Sequence, residues 1–331
     1  MKSYLILITR LKYTHLLTIA LVFFFNVGSA QRLSLFFNQP SPGTQPSLFA
    51  RDIVSDQFGN RDMAISPDGN ELYYTLQYQG GRAFSTILYT HKQNGHWSIP
   101  QIAPFAGIYN DLEPAFSPDG KKLFFVSNRP HNGQAMVKDY DIWCVEKKVH
   151  GWSVPSPLPF PVNSEKDEFY PSITKSGSIY FTREMENSGE DIVVCKWNGN
   201  SYDTAVRLPD AVNSDGAEFN AFADPDEKYI IFTGYNRPGN TGAGDLFVSF
   251  KDIHGEWNKA VNMGAVVNAP GLTYCPYVSP DKKYFFFTSS RGLSKPPFSQ
   301  RMSLPALQQL MKSVLNGWDN IYWMELPQIL K

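Results

Sequence analysis

DLEPAFSPDG, residues 111–120, decides the fold, because variants of this stretch occur at four other places in the chain. The five repeats start near residues 61, 111, 167, 217 and 272. Their spacing of roughly 50 to 56 residues is typical of propeller blades. One such unit cannot bury both of its faces, so the repeats predict an array whose units pack against one another.

The second repeat indicates how one unit forms a four-stranded sheet. Glu113–Ser117 has the length of a first strand, and S-P-D-G at 117–120 is a turn in which Pro fixes φ and Gly accepts the left-handed backbone. KLFFVS at 122–127 is apolar throughout, as in a strand buried on both faces. A third strand begins at Asp141, and Trp152 opens a fourth. Four strands are the number expected of a propeller blade.

The last repeat stops near Pro327 after its third strand. Residues 44–50 can supply its fourth strand, because Ile53–Ser55 resembles the linker that leads into the later repeats. Strands from both termini would then close the ring and remove its free edges. The sequence therefore predicts an all-β, five-bladed β-propeller of four-stranded blades. Six blades is the alternative, if residues 32–60 or 292–318 contain a degenerate blade.

The segment 292–318 interrupts the last blade. Within it, Leu304–Leu315 has apolar residues at helical spacing, and Asn316–Gly317 is a suitable stop. We expect a short amphipathic helix here, which either caps the blade surface or binds a partner.

The N-terminus has the pattern of a secretory signal peptide. Lys2, Arg10 and Lys12 are positive, residues 16–27 are apolar, and Gly28–Ala30 supplies small residues for cleavage. No Cys follows the small residues, so a lipoprotein is not expected. An uncleaved membrane anchor is the alternative interpretation.

The domain organisation follows from this pattern. We expect a signal peptide at 1–30, an N-terminal extension at 31–43 and the propeller domain at 44–331. No later segment is apolar enough to span a membrane. The expected location is the periplasm or the extracellular space.

Composition excludes some classes of function. The formal net charge is -1, so the basic footprint of a nucleic-acid binder is missing. Cys144, Cys195 and Cys275 are odd in number, which favours buried free thiols over a disulfide. The sequence has no G-x-S-x-G, H-E-x-x-H, Walker or Cys-x-x-Cys motif. We expect no catalytic residue set, no metal and no cofactor.

Acidic residues recur near the start of the first strand in four repeats, whereas the last repeat has Thr273. If these strands line a channel, their carboxylates surround one mouth, where mutual repulsion raises pKa values or favours a cation. The same position can instead have one structural role in every blade, or supply the paired carboxylates of a glycoside hydrolase. The predicted ligand-binding residues at this channel mouth are Asp62, Glu113, Glu168, Glu218, Tyr170 and Tyr274.

A second set of charges recurs around the second turn of each blade. An arginine follows the second strand and an aspartate opens the third, which predicts a repeated ion pair at the blade corner. A polar ligand-binding rim is the alternative. The arginines are Arg129, Arg183, Arg237 and Arg291, and the aspartates are Asp141, Asp191 and Asp245.

An aromatic residue opens the fourth strand of four repeats. Packing between neighbouring blades is the first interpretation, and stacking against a sugar is the second. The residues are Trp97, Trp152, Tyr202 and Trp257.

SPDGKKLFFVSNR at 117–129 and SPDKKYFFFTSSR at 279–291 resemble the PD40 group of WD40-like repeats, which belong to the TolB-like β-propeller family. GDLFVSF at 244–250 and NIYW at 320–323 are similar to that family as well. The resemblance covers about residues 44–326, although TKSG and DPDE replace the usual turn in the third and fourth repeats. It implies a periplasmic or secreted protein that binds proteins or envelope components.

The function expected from the sequence is that of an exported, non-enzymatic binding or scaffold module. Its partner would be a protein, or peptidoglycan or another envelope glycan, bound at the channel mouth. We expect a monomer that binds no nucleic acid. A glycoside hydrolase that uses the carboxylates of the channel mouth is the alternative.

Overall fold

The computed structural model describes residues 36–78, 84–131, 139–186, 189–292 and 298–331. They belong to one compact unit, Leu33–Lys331. The expected signal peptide at 1–30 lies outside the described residues. Within the described ranges, no helix has both the length and the apolar character needed to cross a membrane.

The described residues form five antiparallel sheets, which are the blades of a propeller. The N-terminal strand β1 (Ser47–Leu48) precedes the first blade. The strands of the first blade are β2 (Gly59–Ile65), β3 (Glu71–Tyr78), β4 (Phe84–Gln93), β5 (His96–Trp97) and β6 (Gln101–Ile102). Those of the second are β7 (Asp111–Phe116), β8 (Lys122–Ser127), β9 (Asp141–Lys148), β10 (Gly151–Trp152) and β11 (Ser156–Pro157).

The remaining blades repeat this order along the chain. The third blade contains β12 (Glu168–Ile173), β13 (Ile179–Met185), β14 (Gly189–Cys195) and β15 (Val206–Arg207). The fourth contains β16 (Ala217–Ala223), β17 (Tyr229–Tyr235), β18 (Asp245–Phe250) and β19 (Val261–Asn262). The fifth contains β20 (Thr273–Val278), β21 (Tyr284–Ser289) and β22 (Asn320–Glu325).

Strand β1 completes the fifth blade. It pairs antiparallel with β22, so that Ser47 lies opposite Trp323 and Leu48 opposite Tyr322. The predicted five-bladed propeller, closed by strands from both ends of the domain, is therefore confirmed. The alternative of six blades is wrong, because residues 32–60 supply only β1 and the start of β2 among their described positions.

The core lies between neighbouring blades, because the apolar second strands are buried on both faces. Between the first two blades, Tyr73 and Ile87 pack with Phe125 and Trp143. Equivalent clusters fill the other interfaces. The three cysteines are buried and free, as their number predicted.

The insertion in the last blade forms a short helix, α1 (Leu304–Met311). Ser303 caps its N-terminus, where the hydroxyl accepts a hydrogen bond from the Ala306 amide at 3.3 Å. The predicted helix is confirmed, although it ends before Leu315. None of its residues is buried. A 3₁₀ helix, Gln328–Leu330, follows the last strand.

Closure of the ring depends on Phe49, which follows β1. Its ring is fully buried and packs on Phe286 and Trp323, with centroids 5.1 Å and 5.3 Å away. We expect Phe49→Ala to lower the free energy of unfolding by about 3–5 kcal/mol, since it leaves a cavity in the core. Urea denaturation measures this change. The control Phe160→Ala removes a ring that is 81% exposed, and equal losses in the two variants would contradict this role of Phe49.

Candidate functional site

Each first strand contains a β-bulge at the same place, near the propeller axis. The register of pairing shifts there, and one non-glycine residue adopts a positive φ. Such backbone is rare outside glycine, so five repeated instances indicate a constrained position. These bulge residues are Asp62 (φ 40°), Glu113 (58°), Tyr170 (50°), Asn220 (50°) and Cys275 (51°).

The bulge turns a backbone amide toward the preceding blade. The amides of Asp62, Glu113 and Asn220 donate to threonine hydroxyls at 3.0, 3.1 and 3.0 Å. The accepting threonines, Thr288, Thr75 and Thr182, lie in the second strands of the neighbouring blades. These bonds tie successive blades together near the axis.

The bulge separates the predicted carboxylates into two groups. Counted back from the turn, Asp62 and Glu113 share their position with the other bulge residues. Glu168 and Glu218 lie two residues earlier, at the position of Asp111 in the second blade. The expected ring of four equivalent carboxylates is therefore not formed, because only two of the four side chains belong to the bulge positions.

An ionic cluster fills the axis at the level of the bulges. The Arg61 guanidinium contacts the Glu113 carboxylate, and its Nε lies 3.1 Å from Asp62 Oδ2. Its Nη2 lies 3.2 Å from Cys275 Sγ, and the guanidinium stands over the Tyr274 ring at 5.1 Å. We name the group formed by Arg61, Asp62, Glu113, Asn220 and Cys275 the axial cluster.

Glu113 connects the cluster to the third and fourth blades. Its carboxylate accepts hydrogen bonds from the Tyr170 amide at 2.7 Å and from Asn220 Nδ2 at 3.1 Å. The Cys275 thiol in turn donates to Asn220 Oδ1 at 3.6 Å. All five blades thus contribute to one buried network, in which Arg61 contacts the carboxyl groups of both Asp62 and Glu113.

Burial changes the protonation of the cluster. It raises the pKa of Asp62 to about 7, against the opposing effect of Arg61 and with a further contribution from Glu113. Burial also raises the pKa of Cys275, so its thiol stays protonated at neutral pH. Asp62 and Glu113 share a position in the repeat, but the Glu113 carboxylate accepts hydrogen bonds from three other blades, whereas Asp62 accepts one from Thr75 of its own blade.

A cavity of about 260 Å³ opens on the side of the axis where the first and second strands turn. We name this opening the turn-side mouth. Each blade contributes an apolar side chain to its wall, namely Met63, Ala115, Ile173, Phe222 and Val278. Of the predicted ligand-binding residues, Glu113 and Tyr170 line this cavity, whereas Asp62, Glu168, Glu218 and Tyr274 do not.

Charged pairs lie at the outer edge of the turn-side mouth. Lys175 Nζ is 2.7 Å from Asp226 Oδ1, and Lys282 Nζ is 2.8 Å from Asp224 Oδ1. Lys282 also lies 3.6 Å from Asp226. The third, fourth and fifth blades therefore present both signs of charge around an apolar cavity.

The recurring arginines pair with the first strand, and the predicted pairing with the third strand is wrong. Arg129, Arg183 and Arg237 contact an acidic side chain at 2.6, 2.9 and 2.8 Å. Their partners are Asp111, Glu168 and Glu218, which start the first strands. In the antiparallel sheet, the end of the second strand lies beside the start of the first, so these charges meet at the blade corner.

The aspartates of the third strand have other partners. Asp141 lies 2.9 Å from His131 Nε2, and Asp191 lies 2.8 Å from Arg207 Nε. Asp245 accepts from the Thr241 hydroxyl at 3.0 Å. Arg291 has Thr273 in place of an acid on its first strand, and it donates to the Val266 and Val267 carbonyls.

Three members of the axial cluster were not predicted, namely Arg61, Asn220 and Cys275. Counting back from each turn would have aligned Asn220 and Cys275 with Glu113, because the bulge keeps a fixed distance from the turn. No repeated sequence position identifies Arg61, since its role depends on which groups its long side chain contacts in the folded protein.

Within the described ranges, no group of three or more His, Cys, Asp or Glu side chains is suited to a metal ion.

No protein-family model matches this chain, and no similar curated protein was found. A solved structure described as a glycoside hydrolase has a TM-score of 0.52 and 8% identity, over 87% of this chain and 92% of that chain. TolB from Acinetobacter baumannii has a TM-score of 0.47 and 14% identity, over 82% of this chain. This chain spans 58% of that protein.

A putative TolB from Agrobacterium tumefaciens gives the same TM-score of 0.47 and 14% identity, over 82% of this chain and 91% of that chain. At such identities the likeness concerns the fold alone.

The pairing of Arg237 with Glu218 can be tested by a double-mutant cycle. Arg237→Met leaves the Glu218 carboxylate buried without its charge partner, so we expect a loss of about 3–5 kcal/mol in the free energy of unfolding. Replacing both residues, as Arg237→Met with Glu218→Leu, should recover part of this loss in urea denaturation. The exposed pair formed by Lys283 and Asp281 is the control, where Lys283→Met should change little. Strict additivity of the two buried substitutions would contradict the pairing.

The raised pKa of Asp62 predicts a pH dependence of stability. A carboxyl that binds its proton more tightly in the folded state favours folding at low pH, and this contribution is lost as the pH rises through the folded value. We therefore expect the stability of the native chain, relative to Asp62→Asn, to fall between about pH 4 and about pH 7. Urea denaturation across this range measures it. Parallel pH curves for the two proteins would show that the pKa of Asp62 is ordinary.

Proposed function

We propose that this chain is an exported, PD40-like β-propeller that acts as a non-enzymatic binding or scaffold module, with its partner at the turn-side mouth. The observation that supports this proposal is the axial cavity of about 260 Å³, whose wall takes an apolar side chain from every blade. Binding sites in proteins are commonly concave and apolar, with a few polar groups that orient the ligand. In this cavity, the polar groups that could orient a ligand are those of Glu113 and Tyr170, which lie at its inner end.

The state of the acidic residues favours binding over catalysis. Glu168 and Glu218 are fully buried in ion pairs with arginines, and neither lines the cavity. Glu113 does line it, but Arg61, the Tyr170 amide and Asn220 already occupy its carboxylate. General acid–base chemistry requires a carboxyl group that can reach the reacting bond.

The outer edge of the mouth indicates the chemistry of the partner. The alternating charges of Lys175, Asp226 and Lys282 suit a polar segment with both donors and acceptors. The apolar wall suits a hydrophobic group inserted between them. A protein segment has both features, so we place an envelope protein first and an envelope glycan second.

The export of the protein is part of the same proposal. It assigns residues 1–30 to a cleaved signal peptide, 31–43 to an extension and 44–331 to the propeller domain. The basic, apolar and small residues of the first 30 positions support it. The mature protein would then act in the periplasm or outside the cell as a monomer.

Ala115→Trp tests the proposed mouth, because an indole at this wall position would fill the cavity. We expect the native chain to retain a cross-linked partner from an envelope extract. The amount of partner retained should fall about tenfold or more in Ala115→Trp. The control Ala205→Trp changes a position outside the cavity and should retain the partner. Equal retention by Ala115→Trp, with circular dichroism showing that all the proteins fold, would contradict binding at the turn-side mouth.

Glycoside hydrolysis is the second candidate. It is favoured by the inequivalence of Asp62 and Glu113, since burial raises the pKa of Asp62 to about 7, whereas the Glu113 carboxylate accepts hydrogen bonds from three other blades. The solved structure described as a glycoside hydrolase shares the fold. Release of reducing ends from envelope glycans, abolished by Glu113→Gln but retained by Glu218→Gln, would establish this activity and displace the binding proposal.

A further inference from the structure

A lysine covers the aromatic residue of the outer strand in three blades. Lys92, Lys147 and Lys251 lie at or just beyond the end of the third strand. Their ammonium groups stand 5.0, 5.7 and 4.8 Å from the ring centres of Trp97, Trp152 and Trp257. Such cation–π pairs stabilise the outer edge of the blade and cover one face of the ring.

The third blade departs from this pattern. Trp197 takes the place of the lysine, and Tyr202 takes the place of the tryptophan. The two residues form a bridge between the strands, and their rings meet edge to face with centroids 5.0 Å apart. Trp197 remains 39% exposed. A structural role alone does not explain the change, because lysine fulfils that role in the other three blades.

The turn beneath Trp197 is shaped to hold the indole. Gly177 has a φ of 86°, and a Cβ atom at this position would lie 2.9 Å from the Trp197 ring. The indole therefore packs closely against the glycine backbone, which fixes its orientation.

Trp197 and Tyr202 line a groove of about 780 Å³ between the second and third blades. Leu158, Ile173 and Phe160 belong to its apolar part, and the Phe160 ring is 81% exposed. The groove adjoins the axial cavity and shares Ser117, Pro118, Ile173 and Lys175 with it. Trp197, Tyr202 and Phe160 line the groove but not the cavity.

The charged residues of the groove are three lysines and one aspartate, namely Lys121, Lys122, Lys175 and Asp119. Lys121 lies 3.6 Å from Asp119, and Lys122 lies 3.9 Å from Glu146 outside the groove. Exposed ion pairs of this kind are weak, so the ammonium groups can turn to an anionic ligand at little cost. The groove thus favours a ligand that carries negative charge. Asn200 and Ser201 add uncharged polar groups beside the indole.

We propose that this groove binds an acidic, pyranose-based oligosaccharide. The C–H face of a pyranose ring is apolar and suits the exposed indole of Trp197, whereas its hydroxyl groups point sideways toward Asn200 and Ser201. Carboxylates on the sugar would meet Lys121 and Lys122. This site adjoins the partner site proposed at the turn-side mouth and differs from it in Trp197 and Tyr202, which line only the groove.

The experiment is an isothermal titration calorimetry measurement in which oligogalacturonate is added to the whole chain. We expect binding that weakens as salt is added, since screening reduces the contribution of the lysines. Trp197→Ala should weaken the binding by about tenfold or more. Trp197→Lys, which restores the residue of the other blades, should fold normally and show the same loss. Lys121→Ala with Lys122→Ala should lose affinity and most of the salt dependence.

Matched controls separate the groove from other surfaces. Trp318→Ala removes an indole that is 43% exposed outside the groove, and it should bind as the native chain does. A neutral cello-oligosaccharide should bind more weakly than oligogalacturonate.

Three outcomes would overturn the proposal. The first is no binding of oligogalacturonate to the native chain. The second is equal affinity for the native chain and the folded variant Trp197→Lys. The third is binding of an acidic peptide in the groove that oligogalacturonate does not displace.

Discussion

The β-bulge in each first strand is the constraint on which the rest of the structure depends. It places five side chains near the axis, where little water reaches them, and two of them are the carboxyl groups of Asp62 and Glu113. A buried charge is costly unless it is paired and hydrogen-bonded. Arg61 supplies the charge, and Asn220 and the Tyr170 amide supply hydrogen bonds. The blades therefore share one network in addition to their apolar interfaces.

This network gives the axis two different ends. Toward the turns, the wall is apolar and encloses a cavity, with charged pairs at its outer edge. Toward the start of the first strands, Arg129, Arg183 and Arg237 neutralise the recurring acids at the blade corners. The acids that the repeats made conspicuous thus have mainly structural roles. The groove that we propose for an oligosaccharide lies where the repeat pattern is broken, at Trp197.

The sequence predicted the fold because its signals are local and repeated. Apolar runs such as 122–127, turns such as 117–120 and the linker-like Ile53–Ser55 each specify one element of a blade. The site was predicted only in part. Glu113 and Tyr170 line the cavity at the turn side. The acids were grouped by their charge, although Glu168 and Glu218 lie two residues farther from the turn than Asp62 and Glu113. The partners of the arginines depend on pairing across the sheet, which spacing along the chain does not give.

The most direct test of the account places a photo-activated cross-linker, p-benzoylphenylalanine, at either end of the axis. Phe222 lines the cavity at the turn-side mouth, whereas Tyr140 lies beside the start of the third blade's first strand. The account predicts that the residue at position 222 captures an envelope partner and that the residue at position 140 does not. Capture from position 140 alone would contradict it and would place the partner at the opposite end of the propeller.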